Sequence, residues 1–352
     1  TLYVIQRMTQ LTSIFMLVAI LCYCHGRITY ENNPAKALTI MTAGITFFGC
    51  LALLSKENGV LLTVYILIIE STIFQSLQKP KAFKIWVSIF ILLPLIVLLA
   101  FFASRGFYVN AYEMRDFTFA QRLMTESRIL IDYLYSILIP PARGTGLIHD
   151  DIVISTGLFT PLATFPAILA NLSLIGSAFY FRKRQPVYAF SVFWFYGGHF
   201  LESTFIPLEL YFEHRNYLPM VGPIFAVMFY LIQAYQRSEN KICKRLTISI
   251  PIILIILSTV FSSQTIKVWS HPNTLFAVWA HEHPNSLRAQ RIYAQNLAIN
   301  GQHKSAIELL SKLYKKFPFD ISLPLEIINV SCSNSLNSTF RLKDMPVLAK
   351  SA

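Results

Sequence analysis

The chain has 352 residues, of which 54% are hydrophobic and only 14% are charged. Soluble domains carry about 25% charged residues, so this composition indicates an integral membrane protein. The net charge is +12, but lysine and arginine gather in short clusters between apolar runs. This pattern is typical of membrane topology signals and unlike a nucleic-acid-binding surface, so we expect a lipid bilayer and no nucleic acid among the partners.

The chain starts at Thr1 with no signal peptide, and its first ten residues, TLYVIQRMTQ, resemble the interior of a sequence. We therefore expect the natural protein to contain a further N-terminal part. Eight apolar runs are long enough to cross a bilayer as helices, several of them near the lower limit of about 17 residues. The eight predicted spans are Met8–Cys24, Ala37–Leu54, Val60–Phe74, Ile85–Ala103, Leu158–Phe181, Val187–Ile206, Pro219–Tyr235 and Leu246–Ser262.

Three basic clusters indicate the orientation of these spans. They lie at Lys79–Lys84, Arg182–Arg184 and Arg237–Arg245, in connections that would face the same side of the membrane. The positive-inside rule places these connections in the cytoplasm. The opposite side then receives Gln6–Arg7, Ser55–Gly59, the long loop 105–157, the segment 208–218 and the chain after the last span. Most of the unusual polar residues thus fall on the extracytoplasmic side.

The loop 105–157 contains a stretch with helical periodicity at Phe119–Pro140. Its leucine and isoleucine side chains fall on one helix face, and its polar side chains fall on the opposite face. This pattern predicts a helix in the membrane interface, with Arg122 and Arg128 near the lipid headgroups. The apolar face comprises Leu123, Leu130, Leu134 and Ile137, and the polar face comprises Gln121, Thr125, Arg128 and Asp132.

The C-terminal part of the chain has the spacing of a helical repeat. Pro284 and Pro318 lie 34 residues apart, which is the period of the tetratricopeptide repeat. Small residues at Gly301 and Ala306 would let the two helices of such a unit approach closely. We expect a short tetratricopeptide-like helical domain here, the alternative being a plain helical hairpin.

The same pattern predicts a preceding helix at Trp269–His283 and the start of a following unit at Leu323–Cys332. The expected organisation is therefore all-α, with a polytopic membrane domain at residues 1–265 and tetratricopeptide-like helices at 266–335. Residues 336–352 are expected to form a disordered tail.

The most unusual stretch is Leu201–Pro219, LESTFIPLELYFEHRNYLP, which joins two apolar runs. A charged side chain at membrane depth costs roughly 2.5–3.5 kcal/mol on insertion scales. A concentration of charges beside two spans therefore indicates a functional site, the alternative being a solvated loop between two helix ends. The polar side chains concerned are Glu202, Glu209, Glu213 and Arg215, with His199 and His214 beside them.

Four stretches of the chain resemble one family in the same order. They are QRMTQLTSIFMLVAIL at Gln6–Leu21, LLSKENGVLL at Leu53–Leu62, the helix at Arg122–Pro140, and LELYFEHRNYLP at Leu208–Pro219. Together with the C-terminal repeat, they resemble the transmembrane O-mannosyltransferases with tetratricopeptide repeats and their bacterial relatives. The resemblance implies the glycosyltransferase C-type fold.

The resemblance also implies an activity: transfer of a sugar from a polyprenyl-phosphate donor to a protein or glycan acceptor on the extracytoplasmic side. It implies the bacterial inner membrane as location, with the repeats in the periplasm. In that family the catalytic acidic residue lies in a loop ahead of the segment that Gln6–Arg7 resembles. We therefore expect the catalytic base in the preceding part of the protein, and this chain to be an incomplete fragment of the enzyme.

The substrate-binding candidates follow from the chemistry of such a transfer. Cations must stabilise the phosphate group, and arginine offers a bidentate geometry that lysine lacks. Arg215 is the first candidate, with Glu213 orienting it; the alternative is a structural ion pair. For Arg122 the alternative is an interfacial anchor, and for Lys56 it is a simple hairpin turn. The further candidates are Arg7, Lys56, Glu57, Arg122 and His214.

Three carboxylates are candidates for the base that an acceptor hydroxyl needs. Glu202 lies at the end of a predicted span and is either a site residue or a partner of His199. Asp150 and Asp151 are candidates for the base or for divalent-cation ligands, the alternative being solvated loop carboxylates. The five cysteines show neither metal-ligand nor disulfide spacing, so we predict no resident metal site and no certain cofactor.

Other functions stay open from the sequence. The chain could ligate or polymerise a lipid-linked oligosaccharide, which keeps the donor and changes the acceptor. It could also be a non-catalytic scaffold whose repeats recruit a protein partner. A transporter is disfavoured, because the charges gather on one face of the membrane and not at its midplane.

Overall fold

A computed structural model describes residues 6–104, 112–113, 115–139, 147–204 and 206–333 of the chain. These residues form helices and connecting turns, and no β-strand occurs among them. The predicted all-α fold class is therefore confirmed. The chain divides into two compact units, and the boundary near residue 258 falls inside a long helix.

The first unit comprises the described residues up to 139 together with residues 153–258. Short 3-10 helices at Glu57–Leu61 and Glu213–Asn216 precede two of its α-helices, and a π-helical segment at Ser88–Leu92 joins two others. Its α-helices are α1 (Arg7–Thr29), α2 (Pro34–Ser55), α3 (Leu62–Ser71), α4 (Lys81–Val87), α5 (Leu93–Ser104), α6 (Phe119–Leu138), α7 (Thr164–Phe181), α8 (Pro186–His199), α9 (Val221–Arg237) and the first part of α10 (Lys241–Trp269).

Five helical stretches among the described residues are long and apolar enough to cross a membrane, in keeping with an integral membrane protein. The other three predicted spans coincide with the shorter helices α3, α8 and α9, which have 10, 14 and 17 residues. The count of eight spans therefore stays a prediction. The five stretches are Arg7–Thr29, Pro34–Ser55, Lys81–Ala100, Thr164–Phe181 and Lys241–Trp269.

Helices α1 and α2 pack closely because two glycines allow it. A Cβ atom on Gly44 would lie 2.3 Å from the Cys22 Cβ, and one on Gly26 would lie 2.9 Å from the Ala37 carbonyl oxygen. The inner faces of α1 and α2 pack together with α3 and α8, so these four helices share one hydrophobic core. Representative core residues are Met16, Tyr23, Met41, Ile66 and Trp194.

Helix α6 occupies the predicted position of the interfacial helix. A capping box begins it: the Thr118 hydroxyl accepts from the Gln121 amide at 3.3 Å, and the Gln121 side chain accepts from the Thr118 amide at 2.8 Å. The predicted polar outer face is wrong in part, because Thr125 is fully buried. Arg122 is also 0% exposed, so its predicted place among the headgroups is wrong.

The buried face of α6 carries polar groups because other protein groups pair with them. The leucine side of the same helix is the more exposed one, with Leu123 and Leu138 each 38% exposed. Such a face can contact lipid without a cost in free energy, since acyl chains are as apolar as leucine. The helix therefore turns its polar side toward the protein. Its buried residues are Arg122, Thr125, Glu126, Ile129 and Tyr133.

The second unit comprises the described residues 147–152 and 259–333. After the end of α10, each of its helices packs on the next one along the chain. Their positions agree with the predicted repeat, except that α10 ends at Trp269 and a new helix starts at Pro272. The assignment to the tetratricopeptide family stays a prediction. The helices are α11 (Pro272–Glu282), α12 (Leu287–Ile299), α13 (His303–Lys316) and α14 (Ser322–Ser333).

Gly301 makes the turn between α12 and α13. Its φ of 78° lies in the left-handed region that favours glycine. The amide of Gln302 donates to the Leu297 carbonyl at 2.9 Å, and that of Gly301 donates to the Ala298 carbonyl at 3.0 Å. These two bonds form a Schellman motif, which satisfies the last carbonyls of α12 and reverses the chain.

The division of the chain differs from the expected one in two respects, and the first is that the main boundary lies after Ser258 and not after residue 265. We assigned the whole loop 105–157 to the membrane domain, but residues 147–152 belong to the second unit. Ile148 lies in a hydrophobic cluster with Leu275 and Trp279, which explains this attachment. The predicted disordered tail at 336–352 lies outside the described residues.

Candidate functional site

A buried group of charges lies in the first unit, where the ends of several helices meet. Its five side chains are at most 12% exposed, although burial of an unpaired charge is costly. We call this group the ion cluster and define it by its members. They are Lys56, Arg122, Glu126, Glu202 and Arg215.

Each member is placed by a local feature of the sequence. Lys56 is the extended residue that ends α2, directly before the first 3-10 helix. Arg122 and Glu126 are four residues apart on α6, so their side chains lie on one helix face. Glu202 follows the end of α8 by one turn, and Arg215 lies in the 3-10 helix Glu213–Asn216.

Glu202 is the centre of the ion cluster. Its Oε1 atom lies 2.8 Å from Lys56 Nζ and accepts from the Asn58 side-chain amide at 2.9 Å. Its Oε2 atom lies 3.3 Å from Arg215 Nε. The predicted alternative, a pair with His199, is not formed: the ring of His199 instead contacts the side chain of Asn216, with 3.1 Å between Nε2 and Oδ1.

Arg215 ties its own loop to the ion cluster. It donates to the carbonyl oxygens of Leu210 at 2.9 Å and Glu209 at 2.6 Å. Its Nη1 also lies 3.8 Å from Glu126 Oε1. Among the described contacts, Glu202 and Glu126 pair with this guanidinium, and Glu213 is exposed, so its predicted orienting role stays a prediction.

Arg122 joins α6 to the segment after α8. Its Nη2 lies 2.9 Å from Glu126 Oε1 and donates to the backbone carbonyl of Glu202 at 2.6 Å. Its Nη1 donates to the carbonyl of Leu208 at 2.5 Å. Burial lowers the pKa of this guanidinium, while the neighbouring Glu126 carboxylate acts in the opposite direction.

Glu126 is the member of the ion cluster that the sequence did not reveal. Burial raises the pKa of its carboxyl to about 7, against the opposing effect of Arg122 and Arg215. The carboxyl is therefore close to half-protonated at neutral pH. The sequence did contain an indication of this role, because Arg122 and Glu126 have the spacing of a helical ion pair.

His214 is half-buried beside Phe212, with 5.0 Å between the ring centroids. Burial lowers the pKa of its imidazole to about 4, and the neighbouring Lys56 acts in the same direction. The ring is therefore neutral at physiological pH. It can donate or accept a hydrogen bond, but it adds no positive charge for a phosphate group.

A narrow cavity of about 20 Å³ borders the ion cluster, which is room for about one water molecule. Lys56, Asn58 and Arg215 line one side of it. The Tyr65 hydroxyl also lines the cavity and has no hydrogen-bond partner among the described residues. The lining also includes Thr9, Thr12 and Ser13 from the first turns of α1.

Two other predicted binding residues are exposed to solvent, unlike the members of the ion cluster. Arg7 is exposed at the start of α1, and Glu57 is exposed in the turn after α2. No contact to the ion cluster is found for either residue in the described part of the chain. The adjacent positions 56 and 57 thus have opposite environments, because Lys56 points to Glu202.

Asp150 and Asp151, the other predicted bases, bind helices of the second unit. Asp150 accepts from the Ser286 hydroxyl and from the Arg288 amide, so it supports the N-terminus of α12. Asp151 lies 2.9 Å from His283 Nδ1. Within the described residues, no group of three or more His, Cys, Asp or Glu side chains has the geometry to hold a metal ion.

Comparisons with family models, with curated proteins and with solved structures found no match. The functional assignment therefore depends on the geometry of the ion cluster and on the resemblance of the sequence motifs.

Proposed function

We propose that the protein is part of a membrane glycosyltransferase that uses a polyprenyl-phosphate-linked sugar as donor. The observation that carries the proposal is the excess of positive charge in the ion cluster. Three cations, Lys56, Arg122 and Arg215, face two carboxylates, Glu126 and Glu202. With all five side chains ionised, the cluster has a net charge of +1, and partial protonation of Glu126 makes it more positive.

A buried positive charge is costly unless an anion offsets it. Lysine and arginine are the side chains that bind phosphate through charge-assisted hydrogen bonds. Lys56 and Arg215 border the same cavity, so we assign the donor phosphate to this pair. In this role they would stabilise the phosphate as it leaves the sugar.

The proposal gives the ion cluster a binding role and not the role of catalytic base. Glu202 already accepts two hydrogen bonds and forms an ion pair with Arg215, and Glu126 is 1% exposed, so neither carboxylate is placed to reach an acceptor hydroxyl. The resemblance implies a catalytic base outside the ion cluster. The acceptor would be a protein or glycan on the extracytoplasmic side, and the C-terminal helices would bind it or a protein partner.

The test measures the rate at which the full-length protein, in lipid nanodiscs, transfers sugar from a radiolabelled polyprenyl-phosphate donor. We expect Lys56→Gln to lower the transfer rate by about 10²-fold, the usual effect of removing one charge-stabilising group. The amide keeps a hydrogen bond to Glu202, and Asn58 and Arg215 still hold that carboxylate, so the fold should persist. Arg237→Gln, an exposed cation at the end of α9, is the matched control, and equal rates for the two variants would refute the proposal.

The same nanodisc assay separates the related reaction, ligation or polymerisation of a lipid-linked oligosaccharide. That reaction uses the same donor phosphate and therefore the same cations. It is identified by the acceptor, because the labelled product would be an extended glycan and not a glycosylated protein.

One observation favours a non-catalytic scaffold as the second candidate. Both terminal nitrogens of Arg215 already donate to backbone carbonyls, as in a structural ion network. A scaffold predicts that Lys56→Gln has no effect, whereas deletion of residues 272–333 abolishes recruitment of a protein partner. Co-purification of partners with the full chain and with the deletion variant measures this.

A further inference from the structure

Glu202 occupies the place where an anionic ligand of the ion cluster would bind. Its carboxylate accepts hydrogen bonds from the Lys56 ammonium group at 2.8 Å and from the Asn58 side-chain amide at 2.9 Å. It also forms an ion pair with Arg215, with 3.3 Å between Oε2 and Nε. The two carboxylate oxygens thus take the positions that two phosphate oxygens would take.

We infer that Glu202 is an internal counter-ion that competes with the donor phosphate, so that the structure describes a self-occupied form of the site. This inference rests on the proposed function, since it assumes that Lys56 and Arg215 bind the donor. It adds regulation: the phosphate binds only when the Glu202 side chain gives up its cations.

The size of the cavity supports this inference independently of charge. Its volume of about 20 Å³ holds about one water molecule, which is too little for a phosphate group with four oxygens. Glu202 is 4% exposed and is held in place by partners that line the cavity. Withdrawal of its side chain would release both the donors and the space that an anion needs.

The local backbone permits such a movement. Glu202 lies in turns that follow the end of α8 at His199, and Lys56 is the extended residue after α2. Neither side chain is fixed by the regular helix on which its neighbours pack. Arg122 donates to the backbone carbonyl of Glu202 at 2.6 Å, which holds the turn when the side chain leaves its partners and changes rotamer.

Charge gives the direction of the expected effect. Replacement of Glu202 by glutamine removes one negative charge, so the ion cluster becomes more positive by one unit. The neutral glutamine side chain holds Lys56 and Arg215 less strongly, so an anion displaces it more easily. Because a single charge at contact distance is worth several kcal/mol in a protein interior, we expect Glu202→Gln to bind a polyprenyl phosphate at least about tenfold more tightly.

The experiment measures binding of a radiolabelled long-chain polyprenyl monophosphate to the full chain in nanodiscs. It compares the native protein, Glu202→Gln and Glu239→Gln, an exposed carboxylate near the start of α10 that serves as matched control. Inorganic phosphate is the second probe, because competition by free phosphate separates recognition of the phosphate group from recognition of the lipid chain.

The outcomes separate the inference from the proposed function. If Glu202→Gln alone binds the polyprenyl phosphate more tightly than the native protein, both the inference and the proposed function are supported. The same conclusion holds if binding by the native protein is too weak to measure. If the native protein binds the polyprenyl phosphate as tightly as Glu202→Gln, or more tightly, the inference is overturned and the proposed function stays intact. Absence of binding by all three proteins overturns both.

A second variant covers the case in which Glu202→Gln does not fold, as judged by its elution from a sizing column. Glu202→Asp keeps the charge but withdraws the carboxylate by one methylene, so its contacts with Lys56 and Arg215 lengthen. We expect binding between that of the native protein and that of Glu202→Gln. Binding no tighter than that of the native protein contradicts the inference.

Discussion

At the scale of single residues, the ion cluster shows what periodicity can and cannot reveal. Arg215, Lys56 and Glu202 were predictable as site candidates, because a charge beside a membrane span is costly and needs a use. Their partners were not predictable, since pairing depends on contacts between residues such as Lys56 and Glu202 that are 146 positions apart. Glu126 was missed because we assigned α6 to the membrane interface as a whole.

Glu126 makes stability depend on pH. Its pKa is about 7 in the folded protein, above the ordinary value of 4.5. Between about pH 4.5 and 7 the folded state therefore binds more protons than the unfolded state, and stability falls as the pH rises through this window. A difference of this size corresponds to roughly 3 kcal/mol between the two ends of the window.

Thermal unfolding in detergent between pH 4.5 and 8 checks this prediction. We expect the melting temperature of the native protein to fall with rising pH relative to that of Glu126→Gln, whose side chain does not titrate. Glu308→Gln on the exposed surface of α13 should follow the native curve. Parallel curves for the native protein and Glu126→Gln would show that Glu126 does not titrate in this window.

At the scale of elements, helix bounds were more predictable than helix faces. The bounds of α6 follow from Thr118 and Gln121 at its start and from Pro140 after its end, which are local signals. The inward face was not predictable by the same means. In water a leucine face indicates the protein core, but beside a bilayer it fits lipid equally well, so the polar side with Arg122 and Glu126 turns inward.

The close packing of α1 on α2 leads to a prediction at this scale. Gly44→Ala would place a Cβ 2.3 Å from the Cys22 Cβ, and this contact can be relieved only by moving the helices apart. We expect a loss of about 1–3 kcal/mol, the usual cost of overpacking. Thermal unfolding in detergent measures it as a lower melting temperature.

Gly176→Ala in α7 is the matched control, because no atom lies within 4 Å of its added Cβ. Alanine has the higher helix propensity, so this variant should be unchanged or more stable by up to about 1 kcal/mol. If both alanine variants melted alike, close packing at Gly44 would not be a determinant of stability.

At the scale of the whole molecule, topology predicted which residues share a side of the membrane but not which of them meet. The positive-inside rule placed Lys56, Glu202, Arg215 and Asp150 together on the extracytoplasmic side. The first three lie in the ion cluster, whereas Asp150 belongs to the second unit and caps α12. A division into two compact units depends on long-range packing, such as that of Ile148 on Trp279, which no local pattern records.

The cap on α12 predicts that the two units respond separately to mutation. Asp150 accepts from the Ser286 hydroxyl and the Arg288 amide, and a carboxylate at a helix N-terminus also favours the helix dipole. Asp150→Asn should therefore weaken the first turn of α12 by about 1 kcal/mol. Amide exchange in that turn would become roughly fivefold faster, since 1.4 kcal/mol corresponds to a factor of ten.

Hydrogen exchange on the full chain, read by mass spectrometry, tests this. Peptides covering α11 and α12 should exchange faster in Asp150→Asn, while peptides covering α1 and α2 should be unchanged. Asp116→Asn, an exposed carboxylate in the first unit, should alter neither set. Faster exchange in α1 and α2 as well would mean that the chain unfolds as one cooperative body, because a local cap can then be lost only together with the whole fold.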